Sequence, residues 1–424
     1  MKKILQINTP NYIKNNNKYS EDNEIKQDIK TKVIIDNNIE KEIKSINNTL
    51  SLLLITEKGK IDEYLKIWDF YKKFTNEYEF IYSKGENNIK NTQLNQPYNL
   101  EFKSFININK ISRSYFKLWE ILNDFDFFKD NISNNENLKI ANIAEAPGGF
   151  MEAIIDYINM NRINNKINFY GLSHLNKLNK KIPSWKIKRL YQKKYNIWLN
   201  SESDNNGNIY DYKNILKYIY IVKPNSCNLI TCDGGFDING DYENQETLLN
   251  KLLLCETYLI IKLQKNNGNA IIKCFDLFSD DSIKIIYILS LFYDSIFFIK
   301  PLSSRPANSE KYLLCKNFNE DNIVKYKNIL ELLHKYLYTK NNDSDTLNII
   351  IPSYFKLLIT EYNIYYTNRQ IDYINNTIDL IKKINPETQK AHEINSPPGK
   401  EIINNLYQKN IILCKEWCIK YKFI

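Results

Sequence analysis

The chain is poor in the residues that punctuate or staple a fold. Glycine and proline number 11 each among 424 residues, which excludes a collagen-like or linker composition. The seven cysteines are odd in number and scattered through mostly apolar surroundings. That argues against a disulfide framework and for a reducing compartment. Cys414 and Cys418 lie one helical turn apart with no matching pair elsewhere, so no zinc site, and no metal, is expected. No apolar run reaches the roughly 18 residues of a transmembrane helix. The start, MKKILQINTPNYIKNNN, has lysines but no apolar stretch of signal-peptide length.

What is present points to a folded protein with an anionic partner. Hydrophobic residues make up 43% and aromatic residues 13% of the chain, well above a disordered composition. The net charge of +9 fits a phosphate-bearing partner, with simple solubility as the plainer reading. The bias towards Asn, Ile and Lys reflects an AT-rich genome and carries no chemistry.

The length allows one large core with extensions, or two to three domains. Residues 1–95 are rich in Asn, Lys and Glu and read as an N-terminal extension, partly disordered. The first ~25 are expected to be loosely ordered. Short strands are expected at Val33–Ile35 and Leu50–Ile55, with a helix near Ile61–Phe74. From 96 to 320 the pattern alternates: strands at Leu138–Ala144, Ile167–Leu172, Asn228–Cys232, Ala270–Phe275, Ile296–Ile299 and Tyr312–Cys315, with helices at Ser114–Phe128, Phe150–Met160, Gln245–Gln264 and Ser282–Phe292. Such alternation predicts an α/β domain with a Rossmann-like, mostly parallel sheet. The last two strands are joined by a loop too short for a parallel crossover, so the final strand is predicted antiparallel. Residues 321–424 read as a helical C-terminal region with a break at Asn395–Gly399.

Five segments carry candidate chemistry. In Ala144-Glu145-Ala146-Pro147-Gly148-Gly149-Phe150, a strand turns into a helix. Two glycines there allow close backbone approach to a ligand, and the helix start offers free N–H groups. Neither G-x-G-x-x-G nor G-K-[ST] is present. The acidic Glu145 disfavours phosphate and suits a cofactor with a positive centre. Asp233, in Cys232-Asp233-Gly234-Gly235-Phe236-Asp237, ends a buried strand, a costly place for a carboxylate without a partner or task. Asp237 reads as a cap or turn residue. Lys273 lies inside the apolar strand Ala270-Ile271-Ile272-Lys273-Cys274-Phe275. Burial lowers a lysine's pKa, and a tuned lysine can act as a general base. An antiparallel last strand brings Glu310 to the same sheet edge as Asp233 and Lys273. In that loop Arg305 could meet phosphate or form a salt bridge. Lys117, in Ser112-Arg113-Ser114-Tyr115-Phe116-Lys117-Leu118-Trp119-Glu120, reads by itself as a solvated helix residue.

Together, SRSYFKLWE, EAPGGF, DGGFD, IIKCFD and SRPANSEKY, in this order and spacing, resemble the FtsJ-like RNA ribose 2′-O-methyltransferases over residues 105–320. The wording of DGGFD…NQE and KPLSSRPANSEKY is closest to the mRNA cap-specific branch of eukaryotes and large cytoplasmic DNA viruses. The resemblance implies S-adenosyl-L-methionine as cofactor and a catalytic tetrad of Lys117, Asp233, Lys273 and Glu310. It places the cofactor against Glu145, Pro147, Gly148, Gly149, Phe150, Ser173, Asn208 and Asp233. Two positions depart from relatives: Gly171-Leu172-Ser173-His174 lacks the acidic residue that often holds a ribose, and Asn208 stands where relatives often have Asp. The implied partners are RNA, as capped mRNA, and other capping enzymes, with no membrane. The implied location is the cytoplasm, or a viral factory or virion if the source is viral. Lys177–Lys194 is cation-rich with Trp185 and Tyr191 interleaved, which suits single-stranded RNA by charge and stacking and equally suits a solvated face. Alternatives are a methyltransferase for ribosomal or internal RNA sites, and a catalytically silent RNA-binding scaffold subunit.

Overall fold

Apolar runs bounded by turn residues form the strands here, and the longer periodic stretches between them form the helices. The computed structural model describes residues 5–8, 23–82, 102–106, 109–128, 136–201, 206–235, 241, 244–338, 349–384 and 397–423. In chain order, strand β1 (Leu5–Asn8) precedes helices α1 (Asn23–Gly59), α2 (Leu65–Thr75) and α3 (Ser114–Phe125). Then follow β2 (Leu138–Ile143), α4 (Gly149–Met160), β3 (Ile167–Leu172), α5 (Ile187–Tyr191), β4 (Asn196–Leu199), α6 (Tyr212–Val222) and β5 (Cys227–Cys232). Next come α7 (Gln245–Leu263), β6 (Gln264–Cys274), α8 (Asp280–Phe292), β7 (Tyr293–Ile299) and β8 (Lys311–Phe318). Helices α9 (Asp321–Lys325), α10 (Lys327–Tyr338), α11 (Ser353–Ile384) and α12 (Pro397–Lys420) end the chain.

The eight strands form one sheet in the order β1-β7-β8-β6-β5-β2-β3-β4. The run from β4 through β6 is parallel, and β8 is antiparallel to both β6 and β7, as the short connection predicts. Both faces are covered. Along β2, Leu138 and Ile140 join the apolar cluster on one face, while Ala141 and Ile143 join the cluster on the other. This is why the parallel strands read as nearly continuous apolar runs. The order reverses between β2 and β5, so the carboxyl ends of these strands flank the topological switch point, where ligands bind in open α/β sheets.

The structure departs from several expectations. Leu5–Asn8 is a strand, pairing antiparallel with β7 from Leu5↔Phe298 to Asn8↔Ser295. Val33–Ile35 and Leu50–Ile55 are helical within α1. There Ile43, Asn47, Leu50 and Leu54 recur at helical spacing and are buried, and the Asn47 amide donates to Thr360 Oγ1 on α11 at 3.1 Å. A short apolar run does not reveal by itself whether its period is helical. Strand β4 and helix α6 were not foreseen. The expected break at Asn395–Gly399 is only partly testable: Pro397 to Gly399 already lie in the first turn of α12, where proline is tolerated, and Asn395 falls outside the described residues. Asp237 and Phe236 also fall outside them. Among the described residues no helix is long and apolar enough to cross a membrane. The seven cysteines are buried free thiols.

Candidate active site

Three adjacent strands deliver three ionisable side chains to one edge. Asp233 follows β5, Lys273 lies in the last two residues of β6, and Glu310 immediately precedes β8. Register sets Cys232 beside Ile272 and Lys273 beside Tyr312. Lys273 Nζ lies 2.7 Å from Asp233 Oδ1 and 3.6 Å from Glu310 Oε2. It also donates to the Asp233 carbonyl at 3.1 Å. Lys117, reaching in from α3, lies 2.6 Å from Glu310 Oε1. The two lysines and two carboxylates thus form one chain, Lys117–Glu310–Lys273–Asp233. The Tyr312 hydroxyl donates to Asp233 Oδ1 at 2.9 Å, and Ser304 Oγ donates to Glu310 Oε1 at 2.9 Å. The four side chains retain 11–13% exposure, enough to meet a substrate from one side only.

The electrostatics reverse one expectation. Burial would lower the Lys273 pKa, but the Asp233 and Glu310 carboxylates outweigh it and push it above the ordinary lysine value. Lys273 is therefore an ammonium ion in this arrangement, and the expected lowering by burial does not occur. For Glu310, burial raises the carboxyl and the Lys117 and Lys273 charges overcome that, holding it well below the usual range. For these two groups the opposite charges within about 4 Å outweigh the effect of burial.

The loop carrying Glu310 is tied down along its length. Lys300 donates to the carbonyls of Asn308 and Glu310 at 2.6 and 2.7 Å. Glu120 on α3 accepts from the Leu302 and Ser303 backbone N–H groups at 2.8 and 3.2 Å. Arg305 is partly exposed but already has a partner. Its guanidinium forks onto Glu79 at 3.0 and 2.8 Å, so the salt-bridge reading holds. Burial would raise the Glu79 carboxyl, yet Arg113 and Arg305 bring it down to about 2.

The expected cofactor edge is built mainly of backbone. Gly148 adopts φ 108° at the start of α4, a conformation open to glycine at little cost. Gly149 also bears on the packing of α3. A Cβ there would come within 2.0 Å of Ser112 Oγ and 2.4 Å of Ser114 Oγ. Its bareness lets the start of α3 pack against α4, which places Lys117. Glu145 is 3% exposed; it accepts from Asn142 Nδ2 at 2.9 Å and from the Thr231 hydroxyl. Burial pushes its carboxyl well above the ordinary value, and its hydrogen bonds brace β2 against β5. Ser173 Oγ accepts from the Ala146 N–H at 3.1 Å. Asn208 Oδ1 accepts from the Tyr210 N–H at 3.0 Å, a local turn bond that leaves its amide group for another partner. Phe150 packs its ring 5.7 Å from Tyr312. A turn with a left-handed glycine at the switch point, partly exposed at Ala144, Ala146 and Pro147, fits an elongated adenosine cofactor laid across the strand ends.

Two further residues at the site were missed. Tyr312 had been read only as a strand residue. Glu256 on α7 is 1% exposed, its Oε1 lacks a hydrogen-bond partner, and burial pushes its carboxyl well above the usual range. A glutamate in the middle of an otherwise apolar helix was the available signal. In the basic segment, Trp185 is buried and donates to Asn200 Oδ1 at 3.2 Å, so it is not free to stack on a base. Arg189 and Lys193 pair with Glu152 and Asp156 on α4. Tyr191 is 50% exposed, and Lys180, Lys181, Lys186, Lys188 and Lys194 are exposed around it.

A parallel sheet switched between β2 and β5, with helices on both faces and an antiparallel β8, is the architecture of the Rossmann-like methyltransferases. Residues 111–318 match the family described as FtsJ-like methyltransferase. The cap-specific mRNA (nucleoside-2′-O-)-methyltransferase 1 of Drosophila melanogaster is 38% identical over 134 residues, 30% of this chain and 17% of that protein. The cap-specific mRNA (nucleoside-2′-O-)-methyltransferase of Autographa californica nuclear polyhedrosis virus is 37% identical over 126 residues, 30% of this chain and 48% of that protein. The mouse methyltransferase 1 is 29% identical over 205 residues, 47% of this chain and 24% of that protein. The matches thus span less than half the length of these relatives.

Proposed function

We propose that this protein methylates a ribose 2′-hydroxyl of RNA, at the nucleotide next to the mRNA 5′ cap. The observation that carries the reading is the closed chain Lys117–Glu310–Lys273–Asp233 at the carboxyl edge of the sheet. The cap-specific names of the relatives support the choice of substrate. The catalytic domain in this reading is residues 96–320, with 1–95 and 321–424 as supporting regions.

A ribose hydroxyl is a very weak acid and a poor nucleophile. Lys273, held as an ammonium between two carboxylates, donates a hydrogen bond to the 2′-oxygen, aims it and eases loss of its proton. Asp233 and Glu310 keep Lys273 in place, and Asp233 is the base nearest to take the proton as the new carbon–oxygen bond forms. Lys117 holds Glu310 from the other side. S-adenosylmethionine, when bound, supplies an electrophilic methyl group. Pro147, Gly148, Gly149 and Phe150 would shape its bed, Ser173 would brace that bed, and Asn208 would offer its amide to the adenine. Most of the rate comes from holding oxygen and methyl donor in line. Lys180, Lys181, Lys186, Lys188 and Lys194, with Tyr191, form the surface that receives the RNA strand.

The test is methyl transfer from labelled S-adenosylmethionine to capped and uncapped RNA of one sequence, with nucleotide mapping. Transfer to the first transcribed nucleotide of capped RNA is expected. Equal transfer to uncapped RNA would redirect the reading to internal sites. Absence of transfer to any RNA, with RNA binding intact, would leave a scaffold.

A further inference from the structure

A second buried ion cluster lies directly behind Glu310. Its two chain neighbours, Ser309 and Lys311, both reach Asp276 in the turn after β6. Ser309 Oγ donates to Asp276 Oδ2 at 2.6 Å, and Lys311 Nζ lies 3.2 Å from Asp276 Oδ1. Two further side chains come from helices that are remote in sequence. Lys58, in the last turn of α1, donates to Ser309 Oγ at 2.9 Å and lies 3.4 Å from Asp276 Oδ2. Gln370, midway along α11, donates to the Ala307 carbonyl at 3.1 Å. All five are buried: Lys58 5%, Asp276 8%, Ser309 4%, Lys311 3% and Gln370 2% exposed. Burial raises the Asp276 carboxyl, but Lys58 and Lys311 bring it down to about 2.

Both helices lie outside the segment 111–318 that matches the methyltransferase family. A surface tie would be worth little, but a buried lysine without its carboxylate is costly. The chain therefore spends strong interactions on the residues either side of Glu310, and on none that face a substrate. Pinning both neighbours fixes where the Glu310 carboxylate sits between Lys117 and Lys273.

We propose that Lys58 and Gln370 are positioning residues for Glu310, through which the N- and C-terminal helical regions set the geometry of the catalytic tetrad. This rests on the methyltransferase reading for the role of Glu310, but not for the clamp itself. A displacement of about 1 Å in such a group can cost on the order of 100-fold in rate, so a partly loosened clamp is expected to cost about tenfold.

The test uses the full chain with Lys58→Met, the rescue variant Lys58→Arg, and Gln370→Leu. Amide hydrogen exchange at 307–311 is expected to speed up at least about tenfold in Lys58→Met and Gln370→Leu, with the amides of β2 and β5 unchanged. In methyl transfer, kcat falls about tenfold with KM for RNA and for S-adenosylmethionine unchanged, and Lys58→Arg restores most of it. Unchanged exchange at 307–311, or acceleration spread evenly over the sheet, overturns the proposal. So does an unaltered kcat. Gln370→Leu removes only neutral hydrogen bonds, to the Ala307 carbonyl and to Ser309 Oγ, and keeps the exchange test open if Lys58→Met fails to fold. A wild type that transfers no methyl group defeats the catalytic reading, while the exchange result still decides the clamp.

Discussion

Buried carboxyl groups occupy two regions of this molecule and behave in opposite ways. Around the loop 300–311, Glu310, Asp276 and Glu79 each touch two cations, and each is held ionised against its burial. Glu145, after β2, and Glu256, on α7, are as deeply buried but form no close ion pair, and both are pushed towards the protonated form despite the field of Lys273. Burial is the largest influence on all five. What differs is whether a lysine or arginine lies within contact distance. The first region is a lattice of buried ion pairs around the loop that carries Glu310. In the second, Glu145 braces β2 against β5 through Asn142 and Thr231.

Removing a charge from the lattice should have the largest effect. Glu310→Ala leaves Lys117 and Lys273 buried together, and a loss of about 3–5 kcal/mol in denaturant unfolding is expected, along with methyl transfer. A loss under about 1 kcal/mol would mean that the lattice is solvated and the contrast false.

Acid should separate the regions by sign. Glu79 has a folded pKa near 2, below its ordinary 4.5, so its contribution is complete above about pH 4.5 and is lost as pH falls towards 2. That contribution is about 3 kcal/mol, with Asp276 adding in the same direction. Glu145 and Glu256 have raised folded values and take up protons on folding, so they favour the folded state increasingly as pH falls from neutral towards 5. Thermal unfolding across pH 2–8 should therefore show stability rising to a maximum on the acid side of neutral and collapsing below about pH 4.

Gly149→Ala probes how the lattice is assembled. Its methyl group would press on Ser112 and Ser114 at the start of α3, at a cost of about 1–3 kcal/mol. Methyl transfer should fall further than stability, because α3 carries Lys117. Equal activity at reduced stability would show that Lys117 tolerates a shifted helix.

The smallest effect is expected in the brace. Glu145→Gln replaces a neutral acid by a neutral amide of the same shape, and stability at pH 7 should change by less than about 1 kcal/mol. The same variant should lose part of the gain in stability between pH 8 and pH 5. A large loss at pH 7 would place Glu145 among the ionised groups after all.

Much of this was legible in the order of residues. The βα alternation announced the parallel sheet, and the short Lys300–Lys311 connection announced the antiparallel β8. Lys273 in an apolar strand and Asp233 at a strand end were anomalies that called for partners, and each became the other's. Helix α1 was misread because its buried positions are set by a contact with α11 some 300 residues away in sequence. Trp185 looked like a stacking platform, but its indole is used up by Asn200. Glu145 showed its type in the sequence, but not its bonds to Asn142 and Thr231, which only the packing of β2 on β5 creates.

From its sequence alone the chain determined a Rossmann-like sheet, the strand ends that hold Asp233, Lys273 and Glu310, and the family of residues 111–318. Those depend on local periodicity and on short connections, which are written along the chain. Only the tertiary structure decided which carboxyls stay charged, that Lys273 is held as a cation, and that α1 and α11 grip the residues either side of Glu310. A pKa and a clamp are set by neighbours in space, and here those neighbours come from opposite ends of the sequence.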